Sequence, residues 1–163
     1  MNSHTVIDSP YGPLTLVADA DGALCGLYMA GQRHRPPEES FGPRTSGLRC
    51  FARAEEQLSA YFAGELTRFS LEPALHGTPF QRRVWEQLTR IPYGGTLTYG
   101  ELADALGSPR ASRAVGLANG RNPVGIIVPC HRVIGADGGL TGYGGGLDRK
   151  RRLLDFERGA ALF

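Results

Sequence analysis

Lysine is nearly absent from this 163-residue sequence: Lys150 is the single lysine among 18 basic residues. The positive charge is carried almost wholly by arginine, whose planar fork suits phosphates and base edges. Cysteine is scarce too. The three cysteines, Cys25, Cys50 and Cys130, cannot all pair, and none stands in a CxxC arrangement. That argues against a disulfide scaffold and against a cysteine-built zinc site. No apolar run has the length of a membrane span, and the longest, around Ile126-Ile127-Val128, stops at Pro129. Met1-Asn2-Ser3-His4 has neither a basic cluster nor an apolar stretch, so no secretory leader, no membrane and a cytoplasmic location are expected. With 41% hydrophobic and 21% charged residues, the composition fits neither a disordered tail nor a fibrous protein.

The near-neutral balance hides an asymmetry. Residues 1–76 carry six arginines against nine acids, net −3, whereas 77–163 carry eleven arginines and Lys150 against seven acids, net +5. The length suits one ordinary domain or two small ones. The charge shift near Leu75-His76-Gly77 divides the chain into an N-terminal part, 1–76, and a C-terminal part, 77–163.

The first part reads as sheet plus helix. Leu14 to Ala18 alternates, Asp19 to Gly22 supplies turn chemistry, and Leu24 to Met29 resumes an extended pattern, which predicts a hairpin. Residues 31–47 show no period and read as a surface loop. Phe51, Leu58, Tyr61 and Phe62 recur at helical spacing from Leu48 onward, and Gly64 ends that helix. Phe69, Leu71 and Leu75 alternate as another strand, with Pro73 pointing to a sheet edge.

The second part reads as mainly helical. Thr78 and Pro79 open a helix with Phe80, Val84, Trp85 and Leu88 on its inner stripe. Thr98-Tyr99-Gly100-Glu101 is a capping box before a helix that buries Leu102, Ala105 and Leu106 and ends at Gly107. A turn through Ser108-Pro109-Arg110 feeds a helix of small residues, Ala111 to Asn119, which together make a helix-turn-helix candidate. Arg110, Arg113 and Arg121 suit phosphate contacts, and Ala114 and Gly116 suit close backbone approach; two helices packing tightly would use the same small residues.

Val124 to Val128 reads as a buried strand that delivers Pro129-Cys130-His131-Arg132. Cys25 and Cys50 read as packing. Cys130 differs: it follows a proline, precedes a histidine able to favour its thiolate, and lies near a basic segment. Adjacent side chains on an extended chain point apart, so Cys130 and His131 cooperate only through a turn or a bridging water. Tyr143 sits among glycines in Gly142 to Gly146, as a ring held over a flat ligand would. In the last helix, Leu147 to Arg158, Lys150, Leu153, Leu154 and Glu157 share one face. Glu157 needs a partner there: either a histidine, giving a Cys130, His131, Glu157 relay, or an arginine.

Pro129-Cys130-His131-Arg132-Val133-Ile134-Gly135, with Arg113-Ala114-Val115-Gly116 and Asn122-Pro123 before it and Tyr143-Gly144-Gly145-Gly146 after it, resembles the alkylguanine-DNA alkyltransferases. The likeness runs from about Thr78 to Glu157, and more loosely the upstream part is similar to that family's ribonuclease-H-like domain. It implies an α/β fold: a small sheet-plus-helix domain, then a mainly helical domain with a helix-turn-helix. It implies single-turnover DNA repair, the alkyl group of a flipped 6-O-alkylguanine passing to Cys130. His131 would be the base acting through a water, Glu157 its orienting partner and Asn122 the hinge that supports the site. Tyr99 would hydrogen-bond a ring nitrogen of the guanine, and Arg113 would replace the extruded base. Tyr143 would stack on the guanine, the amide of Gly144 would lie near its exocyclic oxygen, and Val133 and Lys150 would complete the substrate site.

The implied partner is double-stranded DNA carrying alkylated guanine, bound by a monomer without a cofactor. Some relatives bind zinc near the N-terminus; His4, Cys25, His34 and His76 lack convincing spacing, so no metal is expected. The family's alkyltransferase-like members lack the acceptor cysteine, which this sequence has. Two other readings stand beside this one: a thiol hydrolase using Cys130, His131 and Glu157, and a non-catalytic helix-turn-helix DNA-binding protein.

Overall fold

The alternation at Leu14–Ala18 and Leu24–Met29 forms the expected hairpin in the computed structural model of the chain, which describes residues 1–159. These are β2 and β3, and a strand not anticipated, β1 (Ser3–Ile7), pairs antiparallel with β2 to give the order β1-β2-β3. The sheet is covered on both sides, which is why every residue of β2 and β3 is buried. Leu14, Leu16, Leu27 and Met29 join the main core with Phe51, Ala54 and Leu58 of helix α1 (Arg49–Phe62), while Val17, Cys25 and Tyr28 pack on Phe41 of a short 3-10 turn, Glu38–Phe41. That 3-10 turn lies inside the stretch expected to be loop. Gly64, at φ +76°, ends α1 as anticipated.

The strand expected over Phe69 to Leu75 does not form. Phe69, Leu71 and Leu75 lean half-buried on the main core, but the backbone there makes no ladder; Ala74 N donates to Leu24 O (2.8 Å) next to Pro73, which has no N–H to give.

The capping box predicted at Thr98 is present, and the Thr78 N-cap is part of a second one. Thr78 caps α2 (Pro79–Leu88) with Gln81 returning the bond, and Thr98 caps α3 (Tyr99–Ala105) with Glu101. Helix α3 buries Leu102 as expected and packs Leu106 half-buried on the core, but Ala103 takes the remaining buried place and Ala105 is exposed. Gly107, at φ +74°, then turns the chain into α4 (Ser112–Gly120), whose Val115, Ala118 and Asn119 face inward. The indole of Trp85 donates to the Ala118 carbonyl at 2.8 Å and pins α4 to α2. Helix α5 (Leu147–Glu157) buries Lys150, Leu153, Leu154, Phe156 and Glu157. No helix among the described residues is long and apolar enough to cross a membrane.

Residues 124–128 are not a strand either. Only Val124 pairs, in a parallel bridge with Leu27, and the other bonds are local: Ile127 N to Gly125 O (2.8 Å) and Val128 N to Val124 O (3.0 Å). Ile126 sits at φ +69°, a strained conformation for a β-branched residue, held by complete burial of its side chain. The apolar run signals burial, not extension.

One apolar cluster extends from Tyr11 and Leu14 to Leu153 and Phe156, crossing the division between 1–76 and 77–163, whose last four positions lie outside the described residues. Backbone bonds cross it as well: Leu27 N to Pro123 O (2.8 Å) and Arg33 N to Gly144 O (2.7 Å).

Candidate active site

Cys130 opens a 3-10 turn, Cys130–Arg132, after the 122–128 loop, so the candidate nucleophile stands on a tight turn and not at a strand end. On that turn the consecutive His131 and Arg132 both reach Glu157. Cys130 is a free thiol, 7% exposed, and lies beside α4, where Asn119 Nδ2 donates to the Cys130 carbonyl at 3.3 Å. Asn122 braces the approach to it: Oδ1 accepts from Val124 N (3.0 Å) and Nδ2 donates to Val128 O (2.7 Å). Burial pushes the Cys130 thiol up, while the Asn122 amide and the Lys150 charge pull it back part of the way.

His131 and Glu157 are both fully buried at their side chains and meet at 2.8 Å, Nε2 to Oε2. Arg132 holds the same carboxylate with its fork, Nε to Oε1 (2.8 Å) and Nη2 to Oε2 (3.0 Å), and gives Nη1 to the Ile91 carbonyl (2.7 Å). Both partners weighed for Glu157 are therefore present together. Tyr61 of α1 adds a fourth donor, its hydroxyl 2.6 Å from Oε2. Burial raises the Glu157 carboxyl, but bonds and charge from His131 and Arg132 outweigh it and hold the group well below the ordinary carboxylate range. Burial lowers His131, against the pull of Glu157.

The bond to Glu157 assigns the tautomer. An ionised carboxylate only accepts, so a neutral His131 carries its proton on Nε2 and leaves the Nδ1 lone pair open. Nδ1 is a buried atom without a protein hydrogen-bond partner.

The loop after the turn forms the other wall. Lys150 is fully buried, and its ammonium donates to the carbonyls of Val133 (2.5 Å) and Thr141 (2.7 Å), so it braces the loop; burial lowers it to about 8. Val133 is buried and pairs with Leu97 in a two-residue parallel ladder between β4 (Leu97–Thr98) and β5 (Val133–Ile134). Tyr99 donates its hydroxyl to the same Thr141 carbonyl at 3.1 Å. Tyr143 is half-buried, near enough for a Cys130 charge to act on it, and Gly144 spends its carbonyl on Arg33 N.

Arg110, Arg113, Ala114 and Arg121 all lie exposed on or beside α4. Gly116 lies against Tyr99: a Cβ there would meet the ring at 3.6 Å, an ordinary van der Waals contact. The structure thus brings Cys130, His131, Glu157, Asn122 and Lys150 into one cluster, with Tyr143 on the adjoining loop, Tyr99 at the start of α3 bonded to that loop, and the arginines at the surface. Sequence reasoning missed Tyr61 and Asn119 as site residues. Tyr61 reads in sequence as one more member of an apolar stripe; a polar tip on a fully buried ring was the available signal.

The family model for the 6-O-methylguanine DNA methyltransferase DNA-binding domain matches residues 79–159, and that for the 6-O-methylguanine DNA methyltransferase ribonuclease-like domain matches residues 2–75. A methylated-DNA–protein-cysteine methyltransferase of Mycolicibacterium paratuberculosis is 57% identical over 158 residues, 97% of this chain and 93% of the relative. One from Methanosarcina acetivorans is 50% identical over 154 residues, 94% of this chain and 97% of the relative. A crystal structure of Mycobacterium tuberculosis O6-methylguanine methyltransferase superposes with a TM-score of 0.87 at 55% identity, covering 99% of this chain and 95% of that one. A structure of that organism's protein in complex with DNA gives 0.86 at 55% identity, covering 98% and 95%. On the strength of these matches across both parts of the chain, it belongs to the methylated-DNA–protein-cysteine methyltransferase family.

Proposed function

We propose that this protein repairs DNA by taking the alkyl group of a 6-O-alkylguanine onto Cys130, once per molecule. The observation that carries this reading is the buried Cys130, next in the chain to a His131 whose Nδ1 has no protein partner and whose Nε2 is held by the anchored Glu157 carboxylate. His131 takes the thiol proton, directly or through one water, and Glu157 stabilises the imidazolium that forms. The thiolate attacks the saturated alkyl carbon; an S–C bond forms, the C–O bond breaks, and guanine leaves with the electron pair. A proton delivered to the purine ring by Tyr99 eases that departure. The product is a thioether, which has no carbonyl for water to attack, so the protein is not regenerated.

The alkyl carbon is out of reach inside a stacked duplex, so the nucleotide is flipped out. Arg113 fills the space it leaves, with Arg110, Arg121 and the small Ala114 seating α4 on the sugar-phosphate strands, and α3 and α4 acting as the helix-turn-helix. Tyr143 stacks on the everted base, with the Gly144 amide near its exocyclic oxygen. Val133 and Lys150 act one step back by holding the loop, and Gly116 shares with Ala114 the close approach of α4 to the strand. Binding that leans on backbone contacts suits a lesion found in any sequence.

Incubation with a duplex containing labelled 6-O-methylguanine should place one label per molecule on Cys130, and Cys130→Ala should take none. Repeated turnover, or label on another residue, would rule this reading out. A hydrolase using the same three residues would release product many times over.

A further inference from the structure

The hydrogen-bond geometry at Glu157 points to Tyr61 as a positioning residue that sets the basicity of His131, and so gives the N-terminal part of the chain a direct hand in alkyl transfer. We infer this from the way Oε2 of Glu157 is shared, and it rests on the reading of His131 and Glu157 as the relay that activates Cys130.

Tyr61 is the fourth residue on that relay and comes 96 positions earlier in the chain. Its ring is fully buried in α1, wedged among Phe62, Phe69, Tyr93 and Phe156 at centroid distances of 5.4, 5.4, 6.2 and 5.6 Å. That packing fixes the ring, and the hydroxyl meets Oε2 at 2.6 Å, the shortest of the four contacts on the carboxylate. Burial and the Glu157 charge both push the phenol far above its ordinary value, so it stays a donor at any working pH.

Oε2 therefore accepts from three groups at once: Tyr61, His131 and Arg132. A carboxylate whose charge is drawn off by a strong hydrogen bond holds an imidazolium less well. Tyr61 thus keeps His131 a weaker base, unprotonated and ready at neutral pH. The other charged or titratable groups that act on the pair are Arg132 on the same turn, Lys150 of α5, Tyr93 after α2, Tyr11 before β2 and Tyr143 of the glycine loop. Arg132 and Lys150 cannot be exchanged without moving the Glu157 fork or the loop, whereas the Tyr61 hydroxyl, the one phenol bonded to Glu157 among the described residues, can be removed with the ring left in place.

The test is the second-order rate of adduct formation with free 6-O-benzylguanine, followed by intact mass from pH 5 to 10. With Tyr61→Phe the acid limb should move up by about half a unit or more, because the undivided carboxylate holds the imidazolium better. With 3-fluorotyrosine at position 61, a stronger donor of nearly the same shape, the limb should move down. Opposite shifts of this kind are not produced by loss of packing. Acid limbs at the wild-type pH for both proteins would overturn the inference, and should Tyr61→Phe fail to fold, the fluorotyrosine protein decides alone. Glu157→Gln separates the two readings: if it is slow while both Tyr61 proteins match wild type, only the role of Tyr61 falls; if it reacts at the wild-type rate, the relay falls and Tyr61 with it.

Discussion

Asn122 and Val128 are tied across six positions by one hydrogen bond, Nδ2 to the carbonyl at 2.7 Å, while the other end of the same amide accepts from Val124. One side chain thereby closes the strained loop that presents Cys130. Asn122→Asp keeps the acceptor but turns an oxygen toward the Val128 carbonyl and puts negative charge near the thiol, where the amide now favours the thiolate. Loss of the buried bond should cost about 1–3 kcal/mol in urea unfolding. The rate with 6-O-benzylguanine should fall further than stability accounts for, since the thiol is pushed higher.

Acidification should weaken the fold in two overlapping steps. His131 lies below its ordinary value of 6.5 in the folded chain, so the unfolded chain takes up its proton first, and stability falls as pH drops through 6.5 and below. Glu157 is also depressed; its contribution is complete above the ordinary carboxylate value near 4.5 and is lost as pH falls toward the folded one. Urea unfolding at pH 7, 6, 5 and 4 checks the sequence of losses, and His131→Gln should flatten the profile between 7 and 5. The same variant should slow adduct formation at pH 7.5 by roughly 10²–10⁴-fold, the usual worth of a placed base. The deficit should narrow as the pH rises past the ordinary thiol range, where the raised Cys130 thiol begins to ionise without help.

Much of this site was legible because it is local in sequence. Thr78 and Thr98 announced their helices three residues ahead of Gln81 and Glu101, and the spacing of Lys150, Leu153, Leu154 and Glu157 placed a carboxylate on a buried face. What failed was non-local. Val124 to Val128 is apolar enough for a strand, yet Ile126 adopts a positive φ because Leu27 and Asn122 fix both flanks. Phe69 to Leu75 alternates because one side leans on the core, which needs no sheet partner. Lys150 looked like a substrate contact, but its two carbonyl partners, Val133 and Thr141, are brought to it only by the fold.

Gly145 is a place where one methyl group should separate chemistry from DNA binding. A Cβ there would lie 2.6 Å from the Tyr143 ring and 2.8 Å from Met29 Sδ, so something must shift, and the ring is the freer of the two neighbours because Met29 is locked in the core. Gly145→Ala should displace Tyr143 from the face of the base and slow alkyl transfer by about tenfold, the equivalent of losing roughly 1.4 kcal/mol of positioning. Affinity for an unmodified duplex, measured by fluorescence anisotropy, should stay at the wild-type level. An equal loss in both assays would mean that the loop is a duplex contact.

Arg113 offers the converse separation. It is exposed near the start of α4, away from the cluster around Cys130, and its guanidinium can act only on a bound partner. Arg113→Ala should leave the reaction with free 6-O-benzylguanine unchanged, because no base has to leave a duplex. With a 6-O-methylguanine duplex the rate should fall by roughly 10–100-fold, since the unstacking cost of a few kcal/mol is no longer offset by an inserted side chain. Arg110→Ala and Arg121→Ala should behave differently, weakening duplex binding modestly and uniformly across sequences and lowering the slope of log affinity against log salt by about one each. If Arg113→Ala shows only that salt effect, with its flipping-dependent rate intact, it is a phosphate contact like its neighbours and another side chain on α4 enters the stack.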